Sequence, residues 1–151
     1  MIIVSGIPFS GVSLLLKILE YGGLEIVKSD SIEDYTFEND NQIIPLSVLD
    51  LKKIKEDYKI IFIERNVEKC FELMEKRMKK EPHRSAFELI LKNLRKDLKK
   101  KEAYFINYEK LIDNPRGQLL KIQELIPNYE KVNKEINSKI ITFKLQADII
   151  W

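Results

Sequence analysis

Eight residues near the start of the chain have the types and spacing to hold an anion: Gly6-Ile7-Pro8-Phe9-Ser10-Gly11-Val12-Ser13. A short apolar run, Met1 to Ser5, precedes them, and VSLLLKILEY at 12 to 21 continues as a helical pattern. The spacing G-x-x-x-x-G-x-S is that of a phosphate-binding loop. In such a loop successive backbone N–H groups curl around an anion, and the following helix adds its positive end. Neither device needs a charged side chain. The lysine that such loops carry after the second glycine is absent, and Val12 stands there. In proteins that cleave ATP or GTP, that lysine reaches the β- and γ-phosphates and offsets charge in the transition state. The pattern therefore implies phosphate or sulfate binding without ATP hydrolysis. The alternative is a strand–turn–helix connection whose glycines serve only the turn.

Elements that could position this loop follow along the chain. Met1 to Ser5 reads as a buried strand and Leu24 to Val27 as a second, after the Gly22-Gly23 stop. Residues 28 to 41 (KSDSIEDYTFENDN) are polar and acidic, and read as a long, functional loop. Gln42 to Ile44 suits a short strand before Pro45, and Ser47 caps a helix running to Asp57. Lys59 to Glu64 (KIIFIE) is the clearest strand after the first. A helix is expected from Val67 to Lys80, and another from Ser85 to Lys101 with Phe87, Leu89, Ile90, Leu91, Leu94 and Leu98 near one face. Tyr104 to Asn107 is a further strand, Glu109 to Ile112 a short helix, and Asp113-Asn114-Pro115 a turn. Gly117 to Ile126 and the tail after Pro127 read as helical. The alternation of strands and helices predicts an α/β domain with a mostly parallel sheet, and residues 1–151 form one domain without repeats or linker.

Composition narrows the function. A net charge of +2 is too small to argue for nucleic acid or an anionic membrane. Cys70 is the single cysteine, so neither an internal disulfide nor a cysteine metal cluster is expected. His83 is the single histidine, which argues against histidine-rich zinc sites and a histidine-based triad. No stretch approaches the roughly 20 apolar residues of a membrane span. The four-residue apolar start lacks a basic flank and does not read as a signal peptide. The expectation is a soluble, cytoplasmic protein.

The loop resembles that of the sulfotransferase family, a branch of the P-loop proteins, which reads P-[RK]-S-G-T-[ST] with no lysine after the second glycine. Pro8, Ser10, Gly11 and Ser13 match it. The resemblance continues through LLLKILEYGGLEIVKSD, similar to the family's first helix and second strand, and DYTFE, similar to its Y-x-F-E segment. YKIIFIERNVEKC resembles the strand and helix that carry a nucleotide-binding arginine, and FINYEKLIDNP the late strand and its turn. It spans most of residues 1 to about 126 and is nearest to short bacterial and archaeal members. The resemblance implies a P-loop-type parallel sheet flanked by helices on both faces. It also implies 3'-phosphoadenosine 5'-phosphosulfate as cofactor, with the sulfonyl group passing to a hydroxyl or amine and no metal required. Gly6, Phe9, Ser10, Gly11, Val12 and Ser13 would hold the 5' end, and Arg65 the 3'-phosphate.

Several positions depart from that pattern. Phe9 replaces the Arg or Lys that neutralises charge on the leaving phosphate, and its ring could stack on a base or simply pack. Val12 replaces a hydroxyl residue, and Ser13 could equally cap a helix. Arg65 suits a phosphate because its planar fork matches phosphate oxygens. The alternative for it is a surface ion pair with Glu64 or Glu68. The family's serine eight residues later is Leu73 here, and no glycine follows Gly117 to supply its late glycine-rich loop. A general base is needed for transfer. Glu38 in DYTFE is the candidate, beside Asp30, Glu33 and Asp34, although acidic loop residues are commonly just solvated. The basic segment around His83, with Lys79, Lys80 and Arg84, reads either as a lid over polyphosphate or as an exposed helix connection. Lys99 to Lys101 suit a helix C-terminal turn, and Cys70 a packed helix position.

Three functions are therefore open. The first is a nucleotide-binding, sulfotransferase-like protein with a small-molecule acceptor that the sequence does not identify. The second is a binding or interaction module that kept the fold and lost catalysis, as Phe9, Val12 and Leu73 suggest. The third is a small nucleotide or small-molecule kinase, against which the missing lysine counts. Oligomeric state is open, and the apolar end Ile149-Ile150-Trp151 could dock on the chain's own core or on a partner.

Overall fold

Apolar, β-branched runs form the middle of the sheet. The computed structural model of the chain describes residues 1–28, 40–54, 58–79 and 81–149. Ile2–Gly6 (β1) and Lys59–Glu64 (β4) are its inner strands, and both are buried along nearly their whole length. Near-continuous apolar sequence is what a parallel strand covered on both faces requires. Glu25–Ile26 (β2), Gln42–Leu46 (β3) and Tyr104–Asn107 (β5) complete a five-stranded sheet of order β2-β3-β1-β4-β5. Every pairing is parallel, with Val4 standing between Pro45 and Ile61, and Gly6 beside Ile63.

Helices cover both faces of this α/β sheet. They are Val12–Tyr21 (α1), Val48–Leu51 (α2), Val67–Met78 (α3), Arg84–Lys100 (α4), Tyr108–Asp113 (α5), Pro115–Leu119 (α6) and Tyr129–Ile149 (α7). A 3-10 segment, Leu120–Leu125, follows α6. The two-residue period of a strand sends alternate side chains to opposite faces. Ile2, Val4, Ile61 and Ile63 enter one core with α1, α5, α6 and α7, whereas Ile3, Ile60 and Phe62 enter the other with α2, α3 and α4.

Strand order sets where a ligand can reach the backbone. From central β1 the chain moves outward through α1 to β2 and returns to β3. It then crosses to β4 on the other side of β1 and continues outward to β5. The loops after β1 and β4 therefore diverge, and the region beyond their carboxyl ends is where open parallel sheets of this kind take ligands. The glycine loop and Arg65 stand at that end of the sheet.

Some boundaries differ from the sequence reading, each for a local reason. β2 is shorter than 24–27 because Leu24 N–H is spent on the Leu19 carbonyl at the end of α1 (3.1 Å). β3 runs through Pro45; among the described residues β2 pairs only with Gln42 and Ile43, so no described strand needs an N–H from Pro45 on that side. The Ser47 cap is present, its hydroxyl accepting from Asp50 N–H at 3.1 Å, but the helix ends at Leu51; residues 55–57 lie outside the described residues. α3 stops at Met78 because Lys79 turns to φ 51. Asn114 and Pro115 do end α5, and they also begin α6 as cap and first residue. The helix expected over 117–126 breaks into a 3-10 segment, with Ile122 at φ −120. Leu89 lies off the buried face of α4 and is 60% exposed. Among the described residues no helix is long and apolar enough to cross a membrane.

Candidate functional site

The loop begins with a tight turn. Ser10 N–H donates to the Ile7 carbonyl at 3.1 Å, Pro8 occupies the second position and Phe9 the third, at φ 66. A turn with proline second and positive φ third has the signature of type II, where glycine is the usual third residue. Two residues later Gly11 takes φ 104 and forms the N-cap of α1. A Cβ there would overlap the Tyr108 ring, so the position needs glycine both for its φ and for the approach of that ring. A Cβ at Gly6 would run into the Ser10 hydroxyl and stand 2.9 Å from the Ile63 carbonyl. The loop thus folds closely over the ends of β1 and β4.

This turn leaves donors at the start of a ten-residue helix. The Gly11 carbonyl accepts from Leu15 N–H at 3.1 Å, so the N–H groups ahead of Leu15 are outside the intrahelical ladder. α1 has no side-chain cap hydrogen bond and no acidic residue in its first turn. Its positive end is accordingly not offset by its own side chains. The Ser10 side chain is fully buried and, among the described residues, its Oγ has no hydrogen-bond partner. Ser13 is the second helical residue, not the cap, because Gly11 holds that place. Val12 is half-buried and packs on the first core.

Arg65 lies against the same loop. Its Nη1 donates to the Phe9 carbonyl at 3.0 Å, and its guanidinium carbon is 4.2 Å from the centre of the Tyr108 ring. The surface ion pairs considered from sequence do not form. Glu64 accepts from Arg95 Nε at 2.6 Å, and Glu68 from Arg84 Nη1 at 2.6 Å. One donor of Arg65 holds the loop, and a guanidinium carries five. Phe9 is half-buried and packs on the second core, so its ring follows the packing reading. Leu73 is half-buried on α3.

Tyr108 and Glu109 join the site although neither was singled out from sequence. Tyr108 follows β5 directly, and an aromatic residue at the carboxyl end of a parallel strand was the available signal. Burial pushes its hydroxyl above the ordinary tyrosine value; Arg65 opposes this, and Asp148 of α7 and Glu109 add to it. Glu109 Oε1 accepts from Asn66 N–H at 2.8 Å, which ties α5 to the start of α3. Burial also pushes the Cys70 thiol up to about 11, with Arg65 opposing and Glu109 assisting. Cys70 is therefore a protonated packing residue at neutral pH and not a nucleophile.

The remaining candidates lie elsewhere. Glu38, with Asp30, Glu33 and Asp34, lies outside the described residues, as do Lys80 and the end of the chain. His83 is exposed and precedes α4 without a side-chain cap bond, while Arg84 beside it is tied to α3 through Glu68. At Arg84 the basic segment joins two helices. Lys99 and Lys100 occupy the last turn of α4, and Lys101 Nζ donates to the Ile54 carbonyl at 3.1 Å. Among the described residues no group of three or more His, Cys, Asp or Glu could hold a metal ion. Comparison with known proteins finds no family model and no curated protein that matches this chain.

Proposed function

We propose that the chain binds an anionic nucleotide at Gly6 to Ser13, with 3'-phosphoadenosine 5'-phosphosulfate or its phosphate product as ligand. The observation that carries this reading is the fully buried Ser10 hydroxyl, unpartnered among the described residues, at the start of α1. A buried hydroxyl without a partner costs about 1–3 kcal/mol, and an anion cradled by the loop would offset that. Gly11 and the uncapped helix end add backbone donors and a favourable dipole. The bound cofactor would supply an activated sulfonyl group. The chain's own part is to hold the phosphates with backbone N–H groups, Ser10 and Ser13, while Arg65 uses its further donors for a 3'-phosphate. The acceptor is a small molecule with a hydroxyl or amine, and we take the protein to act in the cytoplasm.

A second reading rests on Phe9. The residue that would offset charge on the leaving group is a ring packed into the second core, which favours binding without transfer. Calorimetric titration separates the readings. Preference for 3'-phosphoadenosine 5'-phosphate over ATP with magnesium is expected, and turnover of a generic phenol would then distinguish transfer from binding alone. ATP preferred with magnesium would point to a kinase, and no binding of either to an interaction module. Ser10→Ala gives an internal check: it should leave the stability of the ligand-free protein unchanged or slightly raised, yet weaken nucleotide binding.

A further inference from the structure

A cleft of about 450 Å³ opens between the start of α3 and the middle of α4. Lys92, Arg95, Lys96 and Lys99 line it, with Glu88 as its one carboxylate and Val67 and Leu91 as its apolar part. Their spacing puts all four cations on one face of α4. That arrangement opposes helix formation, because Lys92 and Lys96, and Arg95 and Lys99, are like charges one turn apart. The helix dipole accounts only for Lys99, in the last turn; Lys92 and Arg95 lie further back. Glu88, one turn before Lys92, is the one carboxylate set among the four cations of the cleft. Among the described residues Lys92, Lys96 and Lys99 form no ion pair, and only Arg95 is matched, by Glu64. That bond uses Nε alone, so it orients the guanidinium while leaving its two terminal nitrogens for another acceptor.

We infer that this cleft is a second anion site, for a small molecule bearing two or more phosphate or sulfate groups. Arg95 is the oriented element and presents a fork suited to phosphate or sulfate oxygens. The lysines supply flexible point charges around it. The volume is that of a small-molecule pocket rather than an extended track, and a net charge of +2 for the chain does not favour nucleic acid. Through the Arg95–Glu64 bond the cleft adjoins the carboxyl end of β4, where Arg65 begins. It uses no residue of the glycine loop, so it stands or falls independently of the function proposed for that loop.

Inorganic tripolyphosphate is the probe, titrated into the isotope-labelled full chain at an ionic strength of about 0.1 M, where exposed charges are already partly screened. Amide resonances of residues 91–99 should shift with saturation. In Lys92→Gln/Lys96→Gln affinity at these resonances should fall by about tenfold, as loss of charge-assisted contacts implies, while loop resonances of residues 6–13 respond as in the parent. Glutamine keeps helix propensity and removes like-charge repulsion, so this variant should melt no lower than the parent. The control Lys76→Gln/Lys134→Gln removes the same charge from exposed positions on α3 and α7 and should leave the affinity unchanged. Three outcomes would overturn the inference: no shift at residues 91–99, an equal loss in the control, or an equal response to hexaglutamate, which lacks phosphate.

Discussion

Arg65 braces the glycine loop, and in the function proposed above the same side chain would also meet the ligand. Its Nη1 braces the Phe9 carbonyl and its guanidinium carbon lies over Tyr108, the ring that in turn fits against Gly11. Arg65→Ala should therefore lower stability by about 1.5–3 kcal/mol, the scale of a hydrogen bond from a charged donor. It should also weaken 3'-phosphoadenosine 5'-phosphate more than adenosine 5'-phosphate, because only the former carries the 3' group. Equal losses for the two ligands in calorimetry would reduce Arg65 to a brace for the loop. Phe9 poses the complementary question. Its φ of 66 is no more favourable for Phe than for Arg, and its ring packs on the second core. Phe9→Arg should cost packing but raise sulfonyl transfer to a phenol by roughly 30- to 1000-fold, the effect of one charge aimed at a developing anion. A folded variant with no gain would favour the reading of binding without transfer.

At the scale of elements, α3 carries a pH signature. The Cys70 thiol faces burial strong enough to raise its pKa from 9.0 to about 11. A folded-state pKa above the unfolded one means that the native protein holds its proton longer. The associated stability is complete below pH 9.0 and is lost as pH rises to about 11. Two units correspond to about 2–3 kcal/mol. Cys70→Ala should accordingly flatten the alkaline fall in urea-melt stability, even though Tyr108 titrates upward as well and remains in both proteins. Parallel curves for parent and variant would sink this assignment. Elements with strong local signals were legible in the sequence: KIIFIE formed the strand Lys59–Glu64, and VSLLLKILEY the helix Val12–Tyr21. Errors arose where a tertiary partner decided the outcome. Leu24 was claimed by the end of α1, and Pro45 was admitted where no described strand needs an N–H on the β2 side. The loop's glycines were readable from spacing alone. The approach of Tyr108 was not, because it depends on β5 lying beside β4, a pairing 43 residues apart that no local pattern encodes.

For the molecule as a whole, the central question is whether two cores on one sheet make one cooperative unit. β1 and β4 contribute alternate residues to both, so neither core can be lost without exposing one face of the same strands. Ile136 lies in the first core on α7, and Leu94 in the second on α4. Ile136→Val should cost about 0.5–1.5 kcal/mol and Leu94→Ala about 2–5 kcal/mol. The two residues belong to separate clusters on opposite faces, so their effects should add within about 0.5 kcal/mol. In the double variant, far-ultraviolet circular dichroism and tryptophan-independent probes such as tyrosine fluorescence should report one coincident urea transition with an unchanged slope. Additivity with a single transition is the behaviour of one domain whose sheet transmits stability between layers. Two transitions, each moved by only one of the substitutions, would mean that the faces unfold separately. In that case the glycine loop at the ends of β1 and β4, where Phe9 packs on one core and Tyr108 on the other, would lose its shape with whichever face opens first.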